Sequence, residues 1–185
     1  MDHLIRTVRA DEWAKVKELR LTALADPVAP IAFLDTYANA VVQPDAYWKG
    51  RTETAAEGRT VCAFVAEDQD GEWAGTLTVF LELPGEEGTF GGSAAVPQTH
   101  VAGVFVRPEH RGTGITQALF RAALDWSWSL SEPRAERARL YVHEGNGRAQ
   151  ALYRKLGFER TGVVVPMAGD PSSEEYEMTI ARPAC

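Results

Sequence analysis

Arg111-Gly112-Thr113-Gly114-Ile115-Thr116 follows closely on the apolar run Val101 to Val106. A buried-strand pattern runs into two glycines, and an amphipathic helical pattern opens at once. Glycines let the main chain approach an anion closely, and the unpaired N–H groups of a new helix point toward it. The stretch predicts a strand–loop–helix unit built to hold a phosphate. A glycine turn that merely starts a helix is the other reading, and the loop alone does not separate the two. A nucleotide-triphosphate loop fits poorly, because no lysine followed by Ser or Thr stands after the glycines. A dinucleotide fingerprint fits poorly as well: Gln117 occupies the place of its third Gly or Ala, and the unit is not the first strand–helix unit of the chain.

Outward from this unit, Ile5 to Val8 predicts a first strand. Asp11 is a candidate cap for a helix carrying Trp13, Val16, Leu19 and Ala23 and ending near Ala25. Pro30 to Tyr37 reads as a loop with Phe33, and Pro44 to Ala56 as a second helix that stops near Gly58. Val61 to Glu67 and Trp73 to Leu81 form a hairpin across Asp68-Gln69-Asp70-Gly71. Pro84 to Gln98, rich in Gly, Ala and Pro with Glu86 and Glu87, is a long loop. It is either a surface excursion or a lid, and the sequence leaves both open. After the central strand, Ile115, Leu119, Ala122, Ala123, Trp126 and Leu130 share one helix face, which Glu132-Pro133 ends. Ala138 to Val142 is a strand, Asn146 to Leu156 a helix closed by Gly157, and Phe158 to Val165 and Tyr176 to Ala181 a closing pair joined by 166–173. This order predicts one α/β (α+β) domain over 1–185, with a central, twisted, mixed sheet flanked by helices.

The chain has 185 residues, 45% hydrophobic and 24% charged, so it can bury one sizeable core. Its net charge of −7 argues against nucleic acid as the main partner, where a basic footprint is expected. Cys62 lies in an apolar run and reads as core, and Cys185 as a frayed tail. No zinc spacing is present. The start lacks a basic and then apolar signal region, and no apolar run is long enough to span a bilayer, so a cytoplasmic protein without a membrane partner is expected.

A second constellation decides between the readings of the loop. After Leu140-Tyr141-Val142 comes Asn146-Gly147-Arg148-Ala149-Gln150-Ala151-Leu152-Tyr153, then Leu156-Gly157-Phe158. With Arg111 and Gly114 these residues resemble the GNAT superfamily of N-acetyltransferases. Its members carry Arg/Gln-x-x-Gly-x-Gly/Ala for the coenzyme A pyrophosphate, later Asn-x-x-Ala-x-x-Leu-Tyr, then Gly-Phe. The resemblance is specific from Val101 to Phe158. Thr116 departs from it, since the family usually has Gly or Ala there.

The resemblance implies an acetyl-CoA-dependent transfer to the amine of a small molecule or peptide by direct attack, with no covalent acyl-enzyme. Main-chain N–H groups of Arg111, Gly112, Thr113, Gly114, Ile115 and Thr116 would hold the pyrophosphate. Backbone of Phe105 and Val106 would pair with the pantetheine arm, which Asn146 would also hydrogen-bond; capping its helix is its other reading, and one asparagine can do both. Tyr153 is the candidate acid for the departing thiolate; packing its helix onto the sheet is its other reading. His100 stands at the position of the family's frequent central-strand Glu and is the candidate base, with Glu82, His143 or a water chain as alternatives. Phe33, Tyr47, Trp48, Glu82 and the loop from Pro84 are candidate acceptor-site residues, although Trp48 also reads as core. A homodimer would use the Trp126 and Trp128 region or the last strand. A non-catalytic acyl-CoA-binding sensor is the rival function, since position 100 lacks a Glu.

Overall fold

The computed structural model describes residues 3–184. The chain divides into two compact units. The first comprises residues up to Val79 together with Gly103–Ala123. It contains β1 (Leu4–Thr7), α1 (Trp13–Leu24), α2 (Tyr37–Val41), α3 (Asp45–Glu57) and β2 (Val61–Glu67). The second comprises Phe80–Ala102 and residues from Leu124 onward. It contains β5 (Arg137–His143), α5 (Gly147–Lys155), β6 (Glu159–Met167) and β7 (Asp170–Ala181). Parts of β3 (Trp73–Glu82), β4 (Gln98–Val106) and α4 (Ile115–Ser129) fall in each. The strand order is β1-β2-β3-β4-β5-β7-β6. Pairing is antiparallel for β1 with β2, β5 with β7 and β6 with β7, and parallel for β4 with β5. This is the mixed α/β sheet that the sequence predicts.

In the first unit, α1 buries Leu19, Ala23 and Leu24, and α3 buries Trp48 and Ala55, in one cluster with Val8, Val65 and Phe105. Trp48 is 1% exposed; truncating a residue of this size in a core costs about 3–5 kcal/mol. Arg6 ties the entry of the chain to the sheet. Its guanidinium donates to both oxygens of Glu67 at 2.6 and 2.7 Å and to both of Glu12 at 2.7 and 2.9 Å. These bonds hold the Glu67 carboxyl down at about 2.

Several boundaries differ from expectation for identifiable reasons. A turn at Ala10–Glu12 precedes α1. Glu12, not Asp11, is the residue before the helix, and its carboxylate accepts the Arg9 N–H at 2.8 Å. Within the predicted loop, Thr36 caps the short α2 by accepting the Asn39 N–H at 3.2 Å. Pro44 is the N-cap of α3 rather than its first residue, and Gly58 ends that helix at φ +63°. The predicted 166–173 connection is mostly strand, because a two-residue turn at 168–169 lets Met167 pair with Asp170.

On α4, Ile115, Leu119 and Ala123 are buried as expected, joined by Phe120 and Ser127. Trp128 is half-buried, and its carbonyl accepts from Arg182. Cys62 is buried, and burial pushes its thiol up to about 11, as suits a core residue. Cys185 lies outside the described residues. Among the described residues no helix is long and apolar enough to cross a membrane.

Candidate functional site

In the first unit, β4 delivers the chain to the glycine loop. The side chains of Phe105 and Val106 are 6% and 7% exposed, so they serve as core while their backbone continues toward the loop. Gly112 and Gly114 adopt φ +82° and +90°, and a Cβ built on either meets nothing within 4 Å. Both therefore combine a left-handed backbone with open space, as an anion cradle requires. The first turn of α4 begins with Ala118 N–H donating to the Gly114 carbonyl at 3.0 Å. The earlier N–H groups of a helix have no partner within it. Thr113 closes the preceding turn by donating to the His110 carbonyl at 2.6 Å, and Ile115, 5% exposed, anchors the helix start.

Arg111 faces inward. Its Nε donates to the Val106 carbonyl at 3.0 Å, its guanidinium pairs with the Asp26 carboxylate, and it lies 6.0 Å from the Phe105 ring centroid. It fixes the loop to the end of α1, so what the loop offers an anion is main chain. In the sequence Asp26 reads only as part of the Asp26-Pro27 break after the first helix, and nothing there marks it as a partner of Arg111. Phe33 and Trp48 both belong to the core cluster. Tyr47, 40% exposed, is the more accessible aromatic of that region.

In the second unit the polar groups converge on one sheet face. Pairing of β4 with β5 runs through Gln98↔Arg137, Thr99↔Ala138 and His100↔Arg139. Arg139 is 1% exposed. Its Nη2 donates to Glu82 Oε2 at 2.7 Å and its Nη1 to Glu177 Oε2 at 3.2 Å and the Tyr141 hydroxyl at 2.9 Å. Gln98 also donates to Glu82 Oε2, at 2.7 Å, and accepts from Arg137 Nε at 2.7 Å. His100, 2% exposed, places Nδ1 3.3 Å from Glu82 Oε1. That contact is off line for a hydrogen bond, and both atoms are buried without one.

Burial alone would raise the Glu82 carboxyl, but His100, Gln98 and Arg139 together hold it at about 2. Burial lowers the His100 imidazole against the pull of Glu82. A carboxylate held near 2 is too weak a base for an ammonium ion, so of this pair the imidazole is the better proton acceptor. His143 is differently committed: its Nδ1 accepts the Gly145 N–H at 2.9 Å.

These shifts give acid lability a definite sign. Glu67 and Glu82 bind protons more weakly folded than unfolded. As pH falls below about 4.3, the ordinary carboxyl value, the unfolded chain takes up protons that the fold refuses, and stability is lost toward pH 2. His100, also lowered, adds loss of the same sign as pH falls below about 6.5. The urea midpoint is expected to fall steadily from pH 7 to pH 3; a flat or rising midpoint contradicts the assignment.

On α5, Asn146 is the N-cap and accepts the Ala149 N–H at 3.1 Å. Gln150, an unremarked position within the motif, donates to the carbonyls of His143 and Glu144 at 3.1 and 2.9 Å and fixes the approach to the helix. Tyr153 is half-buried, and burial of its hydroxyl pushes the phenol up to about 12. Gly157 ends the helix at φ +93°, as predicted. Arg139, Glu177 and Tyr141 escaped sequence reasoning, although Arg137, Arg139, Tyr141 and His143 alternate with Ala138, Leu140 and Val142. That alternation marks a polar sheet face. Among the described residues no cluster of His, Cys, Asp or Glu could hold a metal ion.

Comparison with known proteins bears on this geometry. The model of the Acetyltransferase (GNAT) family matches residues 26–158. Mycothiol acetyltransferase of Thermobispora bispora is 37% identical over 94 residues, covering 51% of this chain and 30% of that protein. A Bacillus subtilis candidate for the ribosomal protein bS18 alanine N-acetyltransferase is 25% identical over 100 residues, covering 54% and 56%. The chain thus spans 30% and 56% of the lengths of these curated relatives. The Vibrio cholerae spermidine N-acetyltransferase, solved with CoA and spermine, shares the fold at a TM-score of 0.68. It is 16% identical over 97% of this chain and 95% of that one.

Proposed function

The chain belongs to the acetyltransferase (GNAT) family, and from that premise we propose that it is an acetyl-CoA-dependent N-acetyltransferase acting on the amine of a small molecule or peptide. The observation that carries the proposal is the cradle at Gly112 and Gly114, whose open, left-handed backbone leads into the N-terminus of α4. A diphosphate suits the N–H groups it offers in charge. Backbone at Phe105 and Val106, and the Asn146 side chain where it is not spent on its cap, are the further groups assigned to cofactor binding.

Acetyl-CoA supplies an acetyl thioester, so the amine nitrogen gains the acetyl carbon as the carbon–sulfur bond breaks. His100 accepts the proton that the amine loses, with Glu82 ionised beside it. Tyr153 stays protonated far above neutral pH and donates to the sulfur as negative charge grows there. Complete transfer from a phenol near 12 to a thiolate, ordinarily about 8.5, is uphill. Its contribution is a hydrogen bond that strengthens in the transition state.

Gly114→Val is expected to raise the Kd for acetyl-CoA about tenfold or more, because a β-branched residue is strained there by about 1–3 kcal/mol. Equilibrium dialysis checks this. The function itself is tested by thiol release from acetyl-CoA with a panel of primary amines against an enzyme-free blank. Release with one amine class is expected. Binding without release across the panel would turn the reading to a cofactor-sensing module.

A further inference from the structure

His100 is the group assigned to the amine proton, yet it is 2% exposed. What covers it is specific. The ring of Phe90, from the loop between β3 and β4, stacks on the imidazole with centroids 4.3 Å apart and planes 19° apart. Phe90 also packs edge-on against Phe80 at 5.0 Å. Two residues on, the Gly92 carbonyl accepts from Arg139 Nη2 at 3.0 Å. A Cβ on Gly92 would come within 3.1 Å of the Tyr141 hydroxyl, so the loop approaches the cluster closely at this point. Between residues 85 and 93 the loop has few further ties. Residues 84–87 and 91–93 are exposed, Phe90 itself is only half-buried, and glycines stand at 85, 88, 91 and 92. A β-bridge between Pro84 and Ala94, the burial of Ala94 and a hydrogen bond from Glu136 N–H to the Pro97 carbonyl fix the ends of the loop, so that one ring and one hydrogen bond hold the glycine-rich 85–93 segment over two buried polar atoms, His100 Nδ1 and Glu82 Oε1, that have no hydrogen-bond partner.

We propose that Phe90 is the gate residue of the acceptor site: its ring shuts His100 off from solvent, and the 85–93 segment swings away to let an incoming amine reach the in-plane lone pair of an imidazole nitrogen. The proposal rests on the acetyltransferase reading for its amine, but the gate can be tested without it. An aromatic stack and one hydrogen bond are weak enough to be broken on the microsecond-to-millisecond scale of lid motions. Closing removes water from the imidazole and its neighbours. The charged and titratable groups facing it are Glu82 from β3, Arg139 and Tyr141 from β5, and Glu177 from β7. None of these changes when Phe90 is replaced.

The test is carbethoxylation of the full chain by diethylpyrocarbonate at neutral pH, resolved by mass spectrometry at His100 and at His143, without cofactor or amine. Phe90→Ala is expected to speed labelling of His100 about tenfold, the population change that loss of one aromatic stack allows. Phe90→Tyr, which keeps the ring, is expected to retain the slow rate, and His143 to label alike in all three proteins. In amine turnover, Phe90→Ala is expected to move the acid limb of kcat/KM to higher pH, because burial is what depresses His100. Unchanged labelling of His100 in Phe90→Ala overturns the gate, as does equal acceleration by Phe90→Tyr. Faster labelling in a protein that acetylates no amine would keep the gate and remove the acetyltransferase reading.

Discussion

Arg139→Met is expected to lower the free energy of unfolding by about 3–5 kcal/mol, the cost of leaving buried carboxylates without their cation. Glu82, His100, Arg139 and Glu177 are all at most 7% exposed. Arg139 is the cation of this cluster, and both carboxylates bond to it. The Gln98 amide still reaches Glu82, and the Thr161 hydroxyl still reaches Glu177, but neither carries charge. Adding Glu82→Gln and Glu177→Gln to Arg139→Met is expected to restore much of the loss. An apolar or neutral replacement of the whole set removes the unpaired charge that a single replacement creates. Urea unfolding at pH 7 measures both. A loss below about 1 kcal/mol for Arg139→Met, the range of an exposed pair, would show that the cluster is hydrated.

Tyr153→Phe is expected to lower kcat by about 10²-fold or more while the Kd for acetyl-CoA stays near its wild-type value. The phenol lies on α5 in the motif that Asn146 opens, and its ring is 6.3 Å from Phe158. Phenylalanine keeps that packing and removes only the donor. If Tyr153 served merely to pack its helix, kcat would be unchanged. A transition-state donor lowers kcat and kcat/KM together, whereas a binding group raises KM alone, so steady-state kinetics separate the roles.

The fold was legible where local chemistry fixes it. β2 runs over Val61–Glu67 as the apolar run predicts, and Gly58 and Gly157 end their helices in the left-handed region. Asn146 caps α5 through its side chain, one of the two roles its position allowed. The short α2 was missed because it depends on a single Thr36 cap, and the β6–β7 turn because Ala168-Gly169 is a weak signal beside the polar residues that follow. The cradle was legible because glycine is the residue that both its φ values demand. The cluster around His100 was not, because it joins residues 82, 98, 100, 139 and 177, which only strand pairing brings to one face. Arg111 shows the same limit. The motif marks it, but its partner Asp26 lies 85 positions away, and only the fold shows that it faces inward.

Cofactor binding depends on the glycine cradle, which calorimetric titration of the wild-type chain with acetyl-CoA probes without any acceptor. Saturable binding of one acetyl-CoA per chain, weakened in Gly114→Val, is the predicted result. No binding of acetyl-CoA by the folded wild-type protein would overturn the cofactor assignment.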